Sequence, residues 1–336
     1  MPLKNILRDK INRQGPVSIA EFMTLALSHP EHGYYMTRDP FGRVGDFTTA
    51  PEISQMFGEM IGVWAADTRL KMGSPAHVTL LECGPGRGTL MSDMMRATKG
   101  VQGFHEAVNI TLMEISPVLK QAQADALKPY DPQWIEDLEG VSRNAPVLLI
   151  ANEFLDALPV RQFVGKDEVC VDYQDGEFVF CSPPNPPVHG GERDTTAIIE
   201  KSPARENFVK QTAVLLKQTG GAGLFIDYGY TQGHGDTLQA VYKHQYCSPL
   251  DHIGNADITA HVDFGALQSI MPSRMTTQGH FLKAMGILYR AEALSRNVDP
   301  QTIASALHRL THRDEMGELF KVMGVSHDTA LITSGF

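Results

Sequence analysis

A short apolar run followed by three closely spaced glycines constrains the fold of this chain more than any other segment. Residues 78–81 predict a buried strand, Glu82 and the glycine loop 84–88 follow it, and a helical pattern covers 89–98. Glycines at a strand-to-helix turn allow a tight bend and a close approach of a ligand to the backbone. The N–H groups at the start of the helix then favour a carboxylate or phosphate.

The glycine spacing separates the possible ligands. A dinucleotide fingerprint needs a third glycine or alanine where this chain has Thr89, and an acidic residue about 20 positions further on. Here the next strand-like run ends at Glu114, 30 residues after Gly84. A P-loop is excluded because no G-K-[ST] closes the loop. A nucleotide-dependent oxidoreductase is therefore disfavoured. The E-x-G-x-G-x-G form resembles motif I of class I S-adenosylmethionine (SAM) methyltransferases, in which Glu114 would be the ribose-binding acid.

Strand and helix patterns alternate from Val78 onwards, which is typical of an α/β fold with a mostly parallel sheet. We expect a Rossmann-like, seven-stranded sheet of the class I methyltransferase type. The final apolar run is expected to return as an edge strand. The predicted strands are 78–83, 110–115, 134–138, 147–153, 223–228 and 319–323.

Two regions fall outside this alternation. The N-terminal segment 1–75 contains capping-box patterns at Ser18 and Thr49, the second opening a helix that should run to about Leu70, with an ordered loop between the two. Residues 160–201 alternate like hairpin strands around Asp175-Gly176. We therefore predict a helical segment with a functional loop over 1–75, a methyltransferase core over 76–159 and 202–336, and an inserted β-appendage over 160–201.

Composition limits the class of protein. The 336 residues carry a net charge of −10, which argues against a nucleic-acid-binding surface spread over the chain. Four scattered cysteines without C-x-x-C spacing predict neither a disulfide framework nor a metal site. The sequence has no run of 18 apolar residues, so we expect no membrane span, and the N-terminus lacks the pattern of a signal peptide. The expected location is therefore the cytoplasm.

Several candidate site residues follow predicted strands, where ligands of open α/β sheets bind. Glu114 is expected to accept hydrogen bonds from ribose hydroxyls, and Asp137 with Leu138 to meet the adenine edge. Each acid also has a simpler interpretation as a solvated side chain. Ser54, near the start of the helix after the loop, is expected to line the pocket.

The segment after the fourth strand carries two carboxylates and an amide, Asn152, Glu153 and Asp156. A methyl acceptor must present an aligned lone pair, and carboxylates can orient a guanidinium and accept its proton. Glu153 and Asp156 are therefore the predicted acceptor-positioning residues, with His261 as a third catalytic candidate. The alternative is that Glu153 caps a helix, Asp156 is solvated and His261 is structural.

At these residues the chain resembles the MidA family, bacterial and mitochondrial proteins related to the arginine methyltransferase that helps assemble respiratory complex I. The segments that carry the resemblance include 45–54, 82–90, 152–159 and 257–264. It implies SAM as methyl donor and an arginine of a protein substrate, such as a complex I subunit, as acceptor. It also implies that the 45–49 loop covers the cofactor and contributes to the SAM site, and that a eukaryotic member lies in the mitochondrial matrix. The short stretch 271–276 departs from the family pattern and leaves the sixth strand unassigned.

The glycine loop and the acid after the second strand predict a SAM-dependent methyltransferase, and the family resemblance implies that a protein arginine is its acceptor. The alternative is an assembly factor or scaffold that binds SAM without catalysis. The residues predicted to bind the cofactor are Gly45, Asp46, Thr48, Ser54, Glu82, Gly84, Gly86, Gly88, Leu90, Glu114, Ile115, Asp137, Leu138 and Asn152.

Overall fold

A computed structural model describes residues 2–38, 48–182, 198–233 and 235–336 of the chain. The contacts divide it into two compact units. The first contains Met1–Phe47, Asp156–Asn207 and Gln232–His261, and the second contains Thr48–Leu155, Phe208–Thr231 and Val262–Phe336, as far as these are described. We call them the N-terminal unit and the sheet unit. The three segments predicted from the sequence have other boundaries than these two units, and those boundaries stay a prediction.

The helices follow the capping and periodicity signals of the sequence. Ser18, for example, accepts a hydrogen bond from the N–H of Glu21, as its capping box predicted. The helices are α1 (Leu3–Gln14), α2 (Ile19–Ser28), α3 (Tyr34–Thr37), α4 (Ala50–Ile53), α5 (Gln55–Lys71), α6 (Thr89–Thr98), α7 (Phe104–Ala107), α8 (Pro117–Ala126), α9 (Pro203–Thr219), α10 (Phe264–Gln268), α11 (Gln278–Ala284), α12 (Ile287–Leu294) and α13 (Pro300–Thr311).

The strands coincide with the apolar and alternating runs. They are β1 (Val17–Ser18), β2 (Val78–Cys83), β3 (Val108–Met113), β4 (Gln133–Ile135), β5 (Val147–Asn152), β6 (Arg161–Val164), β7 (Asp167–Glu168), β8 (Cys170–Gln174), β9 (Glu177–Cys181), β10 (Ile198–Lys201), β11 (Gly221–Tyr230), β12 (Gln239–Tyr242), β13 (Gln245–Cys247), β14 (Asp257–Thr259), β15 (Val262–Asp263), β16 (Ser273–Thr277) and β17 (Phe320–Val325).

The sheet unit is built on a path of seven strands in the order β16-β17-β11-β5-β2-β3-β4, with the short β15 also pairing to β11. The strands from β4 to β11 pair in parallel, and β17 runs antiparallel to both of its neighbours. The chain moves from β2 outwards through β3 and β4, then crosses back to β5 on the other side of β2. The order therefore reverses between β2 and β5, which is where ligands of such sheets bind. The predicted α/β fold class is confirmed.

The end of the sheet differs from the prediction. The final strand was expected at the edge of the sheet, and this prediction is wrong. β17 lies between β11 and β16, because Ser273–Thr277 adds one more strand outside it. This is the sixth strand that the sequence left unassigned. Its side chains are only partly buried, as suits an edge strand, so it lacks the continuous apolar run that marked the inner strands.

The helix after Thr49 also differs from the prediction. It is interrupted at Ser54, whose extended backbone ends α4 and whose hydroxyl accepts from the N–H of Met56 to begin α5. Thr49 makes no side-chain cap, so the second capping box is wrong. Glu153 replaces it, because its Oε1 accepts from the Ala50 N–H at 2.8 Å. The expected apolar stripe of α5, from Met56 to Trp64, is buried in the core.

The N-terminal unit holds small sheets packed with α1 and α2. β8 and β9 form the predicted hairpin, with Asp175 and Gly176 at positive φ in its turn, and β1 extends the same sheet. Leu7 and Phe22 of the N-terminal helices share an apolar cluster with Val171 of β8. The hairpin and the N-terminal helices therefore stabilise one another.

Across the described residues, no helix combines the length and apolar character that crossing a bilayer requires.

Candidate active site

The loop after β2 is shaped by glycines. Gly84, Gly86 and Gly88 have φ values of 66°, 53° and 82°, in the left-handed region that side chains rarely adopt. A Cβ on Gly84 would lie 2.8 Å from the ring of Phe154, so the close packing also excludes a side chain. Gly88 begins α6 without a side-chain cap, and the N-terminal N–H groups of this helix border the loop. The sequence prediction of a tight turn at this point is confirmed.

Glu82 lies at the end of β2 and is 3% exposed. Burial raises the pKa of its carboxyl to about 8, and a hydrogen bond from the Met91 backbone opposes that rise only in part. Its Oε2 is buried and has no hydrogen-bond partner among the described residues. A buried acceptor without a donor is costly, so Glu82 is a candidate for contact with a ligand that brings a donor or a positive charge.

Glu114 follows β3 and is held by three donors. Its Oε1 accepts from the N–H groups of Ile115 (2.9 Å) and Ser116 (2.8 Å), and its Oε2 accepts from the Gln123 amide at 3.0 Å. Burial raises the pKa of Glu114, and these hydrogen bonds oppose the rise. The alternative of a solvated acid is excluded, because the residue is buried.

The residue that sequence analysis missed is Gln123. It is fully buried on α8, and its amide contacts the carbonyl of Gly86, the carboxylate of Glu114 and the indole of Trp134. The available signal was a glutamine on the same helix face as Leu119, four residues earlier, because that face packs inwards. A polar residue in that position needs partners, and the glycine loop and Glu114 supply them.

The residues predicted for the adenine side differ in their exposure. Ile115 is 44% exposed next to Glu114, which leaves an apolar surface for a ring. Leu90 and Leu138 are buried, so their side chains belong to the interior. Asp137 uses Oδ1 to accept from the N–H groups of Glu139 and Gly140 and so closes a turn after β4. A structural role accounts for that carboxylate, and its predicted contact with adenine stays a prediction.

The predicted covering loop is only partly described. Gly45 and Asp46 lie outside the described residues. Thr48 leads into α4, and Ser54 caps α5 as noted above. Their proposed contacts with the cofactor stay predictions.

Asn152 ends β5 and Glu153 follows it, on the other side of the switch point. Glu153 has a φ of 47°, and its N–H donates to the carbonyl of Ile226 at 2.8 Å. Its Oε1 accepts from the Ala50 N–H and, at 3.3 Å, from the Asn152 amide. The Oδ1 atom of Asn152 is buried without a partner in the described part of the chain. A non-glycine residue at positive φ is strained, and such strain concentrates at functional sites.

Asp156 and His261 lie in the N-terminal unit, and Arg205 links the backbones of these two residues. The Arg205 guanidinium donates to the carbonyls of Asp156 (3.1 Å), Ala260 (2.8 Å) and His261 (2.7 Å). The His261 N–H donates to the hydroxyl of Thr237. Burial and the nearby charge of Arg205 lower the pKa of His261, so its neutral form is favoured near neutral pH. Glu153 belongs to the other unit, and the three predicted catalytic residues are not one cluster of a single unit.

Comparison with known proteins identifies this arrangement. The sheet order, its reversal point and the glycine loop define a class I SAM-dependent methyltransferase. Residues 60–281 match the family described as "Putative S-adenosyl-L-methionine-dependent methyltransferase". The chain belongs to this family, SAM is its cofactor, and the expected resemblance to the MidA family is confirmed.

Relatives and solved structures agree with this assignment. The chain is 34% identical to the zebrafish (Danio rerio) "Protein arginine methyltransferase NDUFAF7, mitochondrial", covering 97% of this chain and 87% of that protein. It is 35% identical to the Drosophila melanogaster homolog of the same description, covering 95% and 83%. A crystal structure of a Burkholderia thailandensis protein bound to S-adenosyl-homocysteine (SAH) superposes with a TM-score of 0.83 at 27% identity, covering 96% of this chain and 91% of the other.

The residues at the switch point fit this cofactor. SAM carries a positively charged sulfonium and an ammonium group. Oε2 of Glu82 and Oδ1 of Asn152, which are buried without a partner among the described residues, are acceptors of the matching polarity. The fixed carboxylate of Glu114 suits a ribose diol, and the glycines keep side chains out of the turn between them.

Proposed function

We propose that this chain transfers a methyl group from SAM to an arginine side chain of a protein. The observation that supports it most strongly is the likeness, over at least 95% of this chain, to two relatives that are named protein arginine methyltransferases. The switch-point geometry supports a SAM site between the exits of β2, β3 and β5 of the sheet unit. The site residues are part of this proposal.

The bound cofactor supplies an electrophilic methyl group. A guanidinium nitrogen that attacks it forms an N–C bond while the C–S bond breaks, and one proton must leave the nitrogen. Glu153 is our choice to orient the guanidinium and accept that proton, because two hydrogen bonds to Oε1 fix its carboxylate after β5. Asp156 and His261 are retained as individual proposals for the acceptor side, each to be tested by its own variant.

A second function also has support from one observation. The hydrogen bond from the Ala50 N–H to Glu153 accounts for this carboxylate as a helix cap, without any catalytic role. A scaffold or assembly factor that binds SAM without transferring its methyl group would keep the same contact. Arginine methylation remains the first proposal because of the named relatives.

The proposed location and protein substrate rest on the resemblance to relatives. The curated relatives are described as mitochondrial. We propose the cytoplasm as the location in a bacterium and the mitochondrial matrix in a eukaryote, with a respiratory complex I subunit as the protein substrate.

Radiolabelled methyl transfer tests the proposed reaction. The purified chain is incubated with methyl-labelled SAM and extract from cells that lack it, and the labelled proteins are hydrolysed to amino acids. Label in methylarginine, absent with the Glu153→Gln variant, is the expected result. Label in another amino acid, or no transfer by a chain that binds SAM, would contradict arginine methylation, and the second outcome would favour the scaffold.

A further inference from the structure

The fully buried Gln123 amide is the part of the sheet unit that the proposed reaction has not used. α8 starts directly after the strand exit that carries Glu114, because the Ser116 hydroxyl caps it by accepting from the Leu119 N–H. Gln123 lies on the buried face of this helix, and its Cα is 3.5 Å from the position that a Cβ on Gly88 would take. The helix therefore packs directly against the glycine loop.

The orientation of the Gln123 amide is determined by its partners. The indole N–H of Trp134 can only donate, and it lies 2.8 Å from Oε1. The Gly86 carbonyl (2.7 Å from Nε2) and the Glu114 carboxylate (3.0 Å from Nε2) can only accept. A flipped amide would place donor against donor and acceptor against acceptors, so a single orientation satisfies all three partners.

This orientation joins two parts of the cofactor site. One N–H of the amide holds the carbonyl in the middle of the glycine loop, and the other holds Oε2 of Glu114. A carboxylate has about four acceptor positions. Three are used by Gln123, Ile115 and Ser116, which leaves about one for a ligand hydroxyl and fixes the direction in which it must approach.

We infer that Gln123 is a positioning residue for the nucleoside half of the cofactor, holding the glycine loop and the ribose-binding carboxylate of Glu114 in fixed register. The inference rests on the proposed placement of the SAM site. Trp134 contributes by fixing the amide through its N–H. Since Gln123 acts on the nucleoside side, its loss should weaken SAM and SAH equally, although only SAM carries the sulfonium charge.

Calorimetric binding of SAM and SAH to the full chain tests this inference. Gln123→Leu keeps the volume but removes the amide, and we expect ~10-fold weaker binding of both ligands, as for the loss of a hydrogen bond to a charged group. Trp134→Phe removes one N–H and should cost less. Gln278→Leu is the matched control, because Gln278 is also fully buried and its amide donates to the Leu310 carbonyl, outside the proposed site. It should leave both affinities unchanged.

The pH dependence of binding by Gln123→Glu provides a measurement that a purely structural role of Gln123 would leave unchanged. The new carboxyl can still accept from Trp134, but it repels Glu114 unless one proton is shared between them. Affinity relative to wild type should therefore recover at least several-fold from pH 8 to pH 6. Two further charges lie close by, Lys120 on α8, which acts on Glu114, and its ion-pair partner Glu136. They are present in both proteins and cancel in the ratio.

The outcomes separate the inference from the site that it rests on. Weakened binding by Glu114→Ala with wild-type binding by Gln123→Leu would overturn the role of Gln123 alone. A ratio for Gln123→Glu that does not change with pH would also overturn it, and this test remains available if Gln123→Leu fails to fold. Unchanged affinity in Glu114→Ala would overturn the placement of the site and the inference together.

Discussion

The two buried glutamates on either side of the glycine loop have opposite surroundings. Glu114 accepts three hydrogen bonds, from two backbone N–H groups and one amide. Glu82 keeps one buried oxygen without a partner in the described residues, and its pKa is raised to about 8. A carboxylate that is fixed in this way suits neutral hydroxyls, whose recognition depends on direction. A buried acid with a single backbone donor is sensitive to charge, so a cationic ligand should change its protonation.

The comparison assigns different tasks to the two sides of one loop. The β3 side, with Glu114 and Gln123, would orient the nucleoside. The side towards β5, with Glu82 and Asn152, would respond to the charged amino-acid half. The first variant below disrupts the loop that both sides share, and the later variants test each side by itself.

The largest effect is expected from Gly86→Val, because this glycine serves both sides. Its φ of 53° is strained for a β-branched residue, and the side chain would obstruct the approach of a ligand to the backbone. Calorimetry should detect no binding of SAM or SAH. Gly100→Val is the control, since a Cβ there meets nothing within 4 Å, and it should bind normally. Wild-type affinity in Gly86→Val would show that the ligand does not use this loop.

Glu153→Gln tests the exit of β5 without changing the loop. The amide oxygen can still accept from the Ala50 N–H, but it cannot take a proton, so methyl transfer should fall ~100-fold while SAM affinity stays the same. Single-turnover rates with labelled SAM measure the first quantity and calorimetry the second. Equal transfer by variant and wild type would leave Glu153 with its capping role only.

Glu82→Gln should separate SAM from SAH. The variant cannot ionise, so it should bind the cationic SAM ~10-fold more weakly, with a smaller effect on SAH, which lacks the sulfonium charge. Variants at Gln123 should weaken both ligands alike, which makes the pair of substitutions a direct test of the two tasks. Equal losses of SAM and SAH in Glu82→Gln would contradict a response of Glu82 to the sulfonium charge.

The pH dependence of SAM binding should show the same difference. In the free protein the pKa of Glu82 is about 8, and a nearby cation lowers it, so binding releases a proton below pH 8. Affinity should rise about tenfold from pH 6 to pH 8 in the wild type. The rise should be smaller in Glu82→Gln. A wild-type affinity that is flat over this range would contradict the assignment.

The stability of the free protein gives a smaller and opposite signal. Because folding raises the pKa of Glu82, the folded state retains a proton that the unfolded chain loses above its ordinary pKa near 4.5. The unfavourable contribution of this residue therefore grows as the pH rises from about 4.5 to 8. Glu82→Gln should raise the free energy of unfolding by on the order of 2 kcal/mol at pH 7, and by little at pH 4. Denaturant titrations at the two pH values measure the difference.

The sequence predicted the inner sheet well because its strands are continuous apolar runs, as at Val147–Asn152, and because glycine spacing restricts the ligand. It was less informative where partners distant in sequence determine the outcome. Thr49 was expected to cap the helix that begins at Ala50. Glu153, which lies 103 residues after Ala50 in the sequence, instead accepts the hydrogen bond from the Ala50 N–H. The edge strand Ser273–Thr277 has no continuous apolar run, and its place becomes visible only when β17 is paired.

The candidate site was predictable to a similar extent. The glycine spacing, the positions of the acids at strand ends and the resemblance to motif I identified Glu82 and Glu114 as candidates. Gln123 was missed because a single glutamine in an amphipathic helix looks like a surface residue until its three partners are known. The placement of Asp156 and His261 beside Arg205 likewise depends on contacts between segments about 50 residues apart or more.

The most direct test of the account is calorimetric titration of the wild type with SAM, with Glu114→Ala and NAD as controls. The central claim is that the cofactor binds at the loop between Glu82 and Glu114. It predicts tight binding of SAM, much weaker binding to Glu114→Ala and no binding of NAD. A folded wild-type protein that does not bind SAM, or a Glu114→Ala variant with unchanged affinity, would contradict it.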